Sequence, residues 1–103
     1  MATAHELVGK TITATVKLHR YRYPLSAHVS GTYAVAVLDV IKVLEGEIGE
    51  GCLDKNDHMI LAGNMPKLEE GIEYTLEANL VTHKDYGFQY ECVSLRLAYD
   101  MKN

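Results

Sequence analysis

Residues 11–18 read TITATVKL, and this stretch decides the fold class. Threonines and Lys17 fill every second position, and apolar side chains fill the positions between them. Such a period of two, rich in β-branched residues, is typical of a strand with one buried face and one solvated face. The stretch therefore predicts a half-buried β-strand, and the rest of the chain can be interpreted outward from it.

Four more strands are predicted downstream, at residues 33–43, 58–62, 73–83 and 88–99. The first of these is almost entirely apolar, which indicates a central strand that is covered on both faces. The next ends before Pro66, because proline cannot donate to a ladder. The last two form a hairpin, since Gly87 supplies the positive φ of a tight turn. Both faces of the final strand are of mixed polarity, which predicts a bulge or a change of packing environment along it.

No segment of ten or more residues has the 3.6-residue period and the capping residues of a helix. Residues 64–72 have room for one helical turn at most. Five antiparallel strands in about 95 residues fit a small closed barrel better than a seven-stranded sandwich. The sequence thus predicts one all-β domain over residues 1–103, with its core at about 10–99. An OB-fold is favoured, and an SH3-like barrel is the alternative, because counting strands does not separate two five-stranded barrels.

Charge is distributed unevenly along the chain, which has a formal net charge of −4 at pH 7. Residues 1–44 contain five basic and two acidic side chains, whereas the remainder contains five basic and twelve acidic ones. A polyanion would therefore meet the first part of the chain more readily. The acidic residues between about 45 and 57 do not have the spacing of a calcium-binding loop. We interpret that segment as a solvated, flexible loop.

The cysteines and the apolar segments indicate the compartment. Cys52 and Cys92 are the two cysteines, and they form no Cys-x-x-Cys pair. We expect Cys92 to be buried in a strand and Cys52 to be an exposed thiol in the acidic loop. The longest uncharged apolar stretch, residues 34–38, is too short to cross a bilayer, and the N-terminus lacks a secretory pattern. These features predict a reduced, cytoplasmic protein with no membrane partner.

Catalytic templates are absent from the sequence. It contains no phosphate-binding loop, no dinucleotide-binding glycine motif, no nucleophile elbow and no HExxH zinc motif. The five histidines show no short repeated spacing, whereas a zinc site needs three or four converging ligands. We therefore predict no enzymatic activity for this chain alone, no cofactor and no metal site.

Two segments combine basic and aromatic side chains. Residues 17–24 read KLHRYRYP after the first strand, and residues 82–90 read THKDYGFQY across the hairpin tip. Cationic groups neutralise phosphates and aromatic rings stack on unpaired bases, so this composition is typical of single-strand binding. In an OB-fold the loop after the first strand also borders the oligonucleotide face. The candidate nucleic-acid-binding residues are Lys17, Arg20, Tyr21, Arg22, Tyr23, Lys84 and Tyr86.

The same segments also have a purely structural interpretation. Tyrosine rings after the first strand would then pack over the barrel mouth, with the arginines in water. In the hairpin, Tyr86 and Phe88 would pin the two strands through cross-strand aromatic contacts. The sequence leaves both interpretations open.

Residues 59–93 contain a more specific pattern, in which GNMP, a later glycine and HKDYGFQY stand in order. This pattern resembles the N-terminal OB-type domain of RecD-like superfamily 1 DNA helicases, the exodeoxyribonuclease V alpha-subunit-like proteins. The resemblance covers roughly residues 10–97 and is most specific in its second half. The matching residues are Gly63, Asn64, Met65, Pro66, Gly71, His83, Tyr86, Gly87 and Gln89.

The chain also departs from the family pattern. Lys84 and Asp85 stand where the family has Pro-Lys, Tyr90 replaces its Phe, and residues 77–79 lack its Gly and Trp. No helicase core precedes Asn103. We therefore expect either a domain of a longer helicase or a free-standing relative.

The resemblance implies an accessory domain of DNA recombination or repair machinery, and it leaves two function classes open. In the first, the domain binds single-stranded DNA, and the seven candidate residues form one surface. In the second, it is a protein-interaction module that docks on a helicase core or another recombination or repair protein, without nucleic-acid contact. The second class requires an exposed apolar patch.

Overall fold

Five strands and one short helix make up the fold in a computed structural model, which describes residues 2–22, 32–85 and 87–98. Each predicted strand is present, and the second and third extend further than the sequence pattern indicated. The elements are α1 (Ala4–Leu7), β1 (Thr11–Tyr21), β2 (Thr32–Glu45), β3 (His58–Met65), β4 (Glu73–His83) and β5 (Gly87–Leu97). The helix was not predicted, because four residues are too few to show a helical period.

The strands close into a barrel in the order β1-β2-β3-β5-β4, with β4 pairing back onto β1. Four of the five pairings are antiparallel, and β3 and β5 run parallel. An odd number of strands cannot alternate in direction all the way around a closed ring, so one seam has to be parallel. The predicted all-β, five-stranded barrel is confirmed, and it is consistent with an OB-fold.

Alternating side chains of all five strands fill the barrel. Side chains from β1 and β2 meet those of the other three strands in one cluster of buried residues, and Tyr90 on β5 is its largest fully buried member. This alternation is the one predicted from residues 11–18. The inward-facing residues with the least exposure include Ile12, Ala14, Val16, Leu38, Met59, Leu61, Leu76, Leu80 and Tyr90.

A bulge changes which residues of β5 face the core. In the pairing of β5 with β4, Ser94 lies opposite Glu77 and Cys92 lies opposite Ala78. Val93 stands between them without a cross-strand partner on β4 and is the extra residue of the bulge. Tyr90 is inward before this point, whereas Leu95 packs against the core after it. The predicted bulge in the last strand is therefore confirmed, and it explains the mixed polarity of both faces.

The acidic loop after β2 lies against the N-terminal segment. The backbone N–H of Ala4 donates to the carbonyl of Glu50 (2.8 Å), and that of Glu50 donates to the carbonyl of Ala2 (3.1 Å). Gly49 is buried at this contact, where a side chain would collide with the carbonyl of Ala2. Cys52 is also buried, so the expectation of an exposed thiol is wrong, because the loop folds back onto the core. The flexibility of the loop stays a prediction.

Two tyrosines anchor the connection between β3 and β4. The hydroxyl of Tyr21 accepts the backbone N–H of Leu68 (2.7 Å), and the hydroxyl of Tyr74 accepts that of Glu69 (2.9 Å). Burial raises the pKa of Tyr21, although the bond from Leu68 opposes that effect. Leu68 is itself buried in the core. These bonds hold the connection at residues 64–72, where the sequence left room for one helical turn and no helix forms.

No helix among the described residues is long and apolar enough to span a bilayer.

Candidate nucleic-acid interface

The outer face of β2 and β3 is a ladder of cross-strand pairs. β2 directs Ala34, Ala36 and Leu38 inward, so the residues between them point away from the core. β3 pairs with this half of β2 in unbroken antiparallel register. The four outward pairs are Tyr33–Asn64, Val35–Ala62, Val37–Ile60 and Asp39–His58.

The middle of this ladder is apolar and buried. Val35, Val37, Ile60 and Ala62 form a cluster separate from the barrel core, and each is less than 9% exposed. This second cluster explains why residues 34–38 are apolar on both faces of the strand. The prediction that the second strand is covered on both faces is confirmed for this half of it.

Tyr33 lies at one end of the ladder and is 65% exposed. Its partner across the strands is Asn64, which is also exposed. An exposed ring beside an amide is a suitable platform for stacking on a base and for hydrogen bonding to its edge. Sequence reasoning treated Tyr33 only as the start of a strand. The signal that identifies it is the alternation of β2, since Tyr33 shares a face with Val35 and Val37.

The basic residues predicted on β1 border the same face. Arg20 is exposed and pairs with Val37 of the ladder. Arg22 follows the strand, is half-buried, and donates its backbone N–H to the carbonyl of Val35 (2.9 Å). Lys17 on β1 is the cross-strand neighbour of Asp39 on β2.

Lys17 is the predicted basic residue with the most acidic surroundings. Its neighbour on β4 is Glu73, in addition to Asp39 on β2. Two carboxylates opposite one ammonium group offset its charge, so Lys17 attracts a phosphate less strongly than a lysine without acidic neighbours does.

Tyr21 does not lie on this surface. It is 9% exposed, belongs to the barrel core, and uses its hydroxyl to hold Leu68. Its burial is at odds with the base-stacking role predicted from the sequence. The physical reason is a register shift between Leu18 and Arg20, which leaves His19 and Arg20 exposed and turns Tyr21 inward.

The hairpin segment reaches the other side of the ladder. Lys84 is exposed in the turn after β4. The parallel pairing of Leu61 with Tyr90 and of Ala62 with Glu91 places the second strand of the hairpin, β5, beside β3. The outer β2–β3 face thus lies between β1 on one side and β5 on the other. Tyr23 and Tyr86, the two remaining candidates, lie outside the described residues.

Two histidines and an aspartate meet at the opposite end of the ladder from Tyr33. The Nε2 atom of His58 is 3.2 Å from Oδ1 of Asp39, and Nδ1 of His19 is 3.9 Å from Oδ2 of the same carboxylate. The rings of His19 and His58 are stacked, with their centroids 4.2 Å apart. Three adjacent strands supply one residue each, so residues far apart in the sequence become neighbours.

Asp54 lies behind this group. Its Oδ1 atom accepts the backbone N–H groups of Asn56 (2.8 Å) and His58 (2.9 Å). Partial burial tends to raise the pKa of Asp54. The two backbone bonds and the nearby charges of His58 and Arg20 outweigh burial and hold the pKa below its usual value. Asp54 is therefore a fixed, ionised carboxylate beside the cluster.

The far half of β2 exposes apolar side chains. Ile41, Val43 and Leu44 are between 38% and 49% exposed. β3 pairs with β2 only as far as Asp39, so within the described part of the chain the outer edge of residues 40–45 has no strand partner. An apolar edge of this kind can receive another protein surface.

Comparisons with known proteins bear on this geometry. A family model described as the OB-fold domain of the ATP-dependent DNA helicase YrrC matches residues 9–99. No curated protein and no solved structure gives a significant match. The matched range includes all five strands of the barrel and the ladder on β2 and β3. The chain therefore belongs to the family of OB-fold domains of YrrC-type, RecD-like DNA helicases.

Proposed function

We propose that this domain binds single-stranded DNA at the exposed Tyr33 end of the outer β2–β3 face and along its border with β1, as an accessory domain of a RecD-like helicase or a free-standing relative. The setting we propose is DNA recombination or repair in the cytoplasm. The observation that carries the proposal is the exposed ring of Tyr33 on the same face as Arg20. In OB-folds this strand pair and the loops beside it form the oligonucleotide surface.

The chemistry of the face suits a single strand better than a duplex. A stacking platform needs a base that is free of its partner strand, and Tyr33 supplies such a platform next to Asn64. Arg20 and Arg22 follow the edge of the face on β1, where guanidinium groups neutralise phosphates. Lys84 adds a positive charge at the hairpin on the other side.

The proposal is tested by fluorescence anisotropy of a labelled strand of about 20 nucleotides at two salt concentrations, with a duplex as control. We expect saturable binding that weakens as salt rises. Tyr33→Ala should weaken binding roughly tenfold, because stacking on an aromatic ring contributes ~1–3 kcal/mol per base. Tyr33→Phe should retain the affinity, since it keeps the ring.

Arg20→Gln tests the electrostatic contribution to DNA binding in the same experiment. It should weaken binding and lower the slope of log affinity against log salt by about 1. Arg96→Gln is the matched control, because Arg96 is exposed on β5 and pairs with Thr75, away from the ladder. Equal losses in Arg20→Gln and Arg96→Gln, or no binding by the natural chain at low salt, would refute the proposed DNA face.

A second candidate function is supported by the apolar edge of β2. In it, Ile41, Val43 and Leu44 dock the barrel on the ATPase core of a RecD-like helicase. We expect a one-to-one complex with such a core lacking its own OB domain, measured by calorimetry. Ile41→Ser should abolish the complex, whereas Val93→Ser, which removes another exposed apolar side chain on β5, should not. A complex that survives Ile41→Ser would exclude this edge as the docking site.

A further inference from the structure

We propose that His19, Asp39 and His58 form a binding site for a divalent transition-metal ion of the Zn²⁺ type. Their donor atoms, one from each residue, all lie within 4.8 Å of one another. Two imidazole nitrogens with one carboxylate oxygen is a donor set that zinc uses in proteins, with bonds of about 2.0–2.2 Å. The site lies at the opposite end of the same β2–β3 ladder from Tyr33, and binding of an ion there does not require DNA binding.

The distances are close to those that one ion requires. Two ligand atoms around a tetrahedral zinc ion lie about 3.4 Å apart, given those bond lengths. The separation between His58 Nε2 and Asp39 Oδ1 is already 3.2 Å. The separation of 3.9 Å for His19 Nδ1 is to the other oxygen of this carboxylate, Oδ2, and the three donor atoms lie within 4.8 Å of one another, so rotations of the His19 and Asp39 side chains have to bring the donors together on one ion. His19 has room for this rotation, since its side chain is about half exposed.

Asp54 stands where metal-binding histidines usually have a supporting carboxylate, and an approach of about 1 Å would bring it within hydrogen-bond distance of His58. One nitrogen of His58 faces Asp39, while the other, Nδ1, lies 4.0 Å from Oδ2 of Asp54. A carboxylate behind the ring orients the imidazole and fixes which nitrogen remains available to the metal. Asp54 can do this because its other oxygen is held by two backbone N–H groups.

The surroundings define the class of ion and the openness of the site. Nitrogen donors favour zinc and its neighbours over Mg²⁺ and Ca²⁺, which prefer oxygen ligands only. His19 and Asp39 are each about half exposed, so an ion can enter from solvent and keep a water molecule in its fourth position. Lys17 and Arg20 lie nearby and oppose a cation, so we expect affinity in the micromolar range.

The test is calorimetric titration of the tag-free chain with Zn²⁺, together with the absorption spectrum of the Co²⁺-substituted protein. We expect one Zn²⁺ per chain and the visible bands of four-coordinate Co²⁺. His58→Gln and His19→Gln should each lower the Zn²⁺ affinity at least tenfold and remove those bands. Asp54→Asn should lower the affinity about tenfold, as removal of a supporting carboxylate does elsewhere.

His83→Gln is the matched control, because it removes a histidine that does not belong to the cluster. Circular dichroism of every variant establishes that the barrel is folded, and His19→Gln is the least disruptive, since His19 is exposed. The proposal is overturned if Zn²⁺ does not saturate at one ion per chain, if His83→Gln weakens binding as much as His58→Gln, or if Mg²⁺ competes equally.

Discussion

Replacing Tyr90 by alanine is expected to destabilise the domain by about 3–5 kcal/mol, because it leaves a cavity in the centre of the barrel. Tyr90 is the largest fully buried side chain of the core. A domain of this length has a free energy of unfolding of about 5–15 kcal/mol, so the loss is a large part of the total. The measurement is urea unfolding followed by tyrosine fluorescence, since the chain contains no tryptophan.

Tyr90→Phe is the control that separates the ring from its hydroxyl. The hydroxyl of Tyr90 has no hydrogen-bond partner among the described residues. Its pKa is raised, first by burial and then by the nearby thiol of Cys52. Removing an unsatisfied buried hydroxyl should change stability by less than about 1 kcal/mol. A loss well above that in Tyr90→Phe would mean that the thiol of Cys52 bonds to the hydroxyl, and Cys52→Ala would then show the same loss.

Gly46→Ala is expected to have the second large effect, about 3 kcal/mol or more. Gly46 has φ of +87°, which L side chains rarely adopt. In addition, a Cβ atom there would lie 2.8 Å from the carbonyl oxygen of Thr11 and 3.1 Å from the side chain of Ile12. The start of β1 would have to shift to make room, so this substitution adds a steric cost to the backbone cost.

Gly71→Ala measures the cost of the left-handed backbone conformation without the steric contact. Gly71 has nearly the same φ, +81°, but a Cβ atom there would meet nothing within 4 Å. We expect a loss of only about 1–2 kcal/mol, the usual cost of a left-handed conformation for an L residue. The two midpoints of thermal unfolding give the comparison. Equal losses in the two variants would show that the contact between Gly46 and Thr11 relaxes freely.

The barrel was predictable because its signal is repeated in every strand. The alternation of residues 11–18, the hairpin around Gly87 and the mixed faces of the last strand each follow from the local order of side chains. The bulge at Val93 was detectable for the same reason, since polarity on both faces cannot fit one regular strand.

The candidate site was predictable only in part, because its geometry depends on register between strands. The extra residue at the end of β1 is His19, and no local pattern marks it, so the sequence left open whether Tyr21 packs on the barrel or contacts a base. The grouping of His19, Asp39 and His58 likewise depends on which residues of three strands stand side by side. Sequence spacing alone contains no such information, and the histidines therefore looked scattered.

The bulge in β1 also makes the surface sensitive to chain length at a single position. Deleting His19 would remove the bulge and restore regular pairing, with Arg20 still opposite Val37 and Tyr21 still opposite Ala36, so the imidazole of His19 would be lost from the outer surface while the barrel core stays the same. Relatives that differ by one residue here would thus share the fold while presenting different chemistry. Insertions and deletions at the end of the first strand are therefore a route by which this family can diversify the outer surface of its barrel.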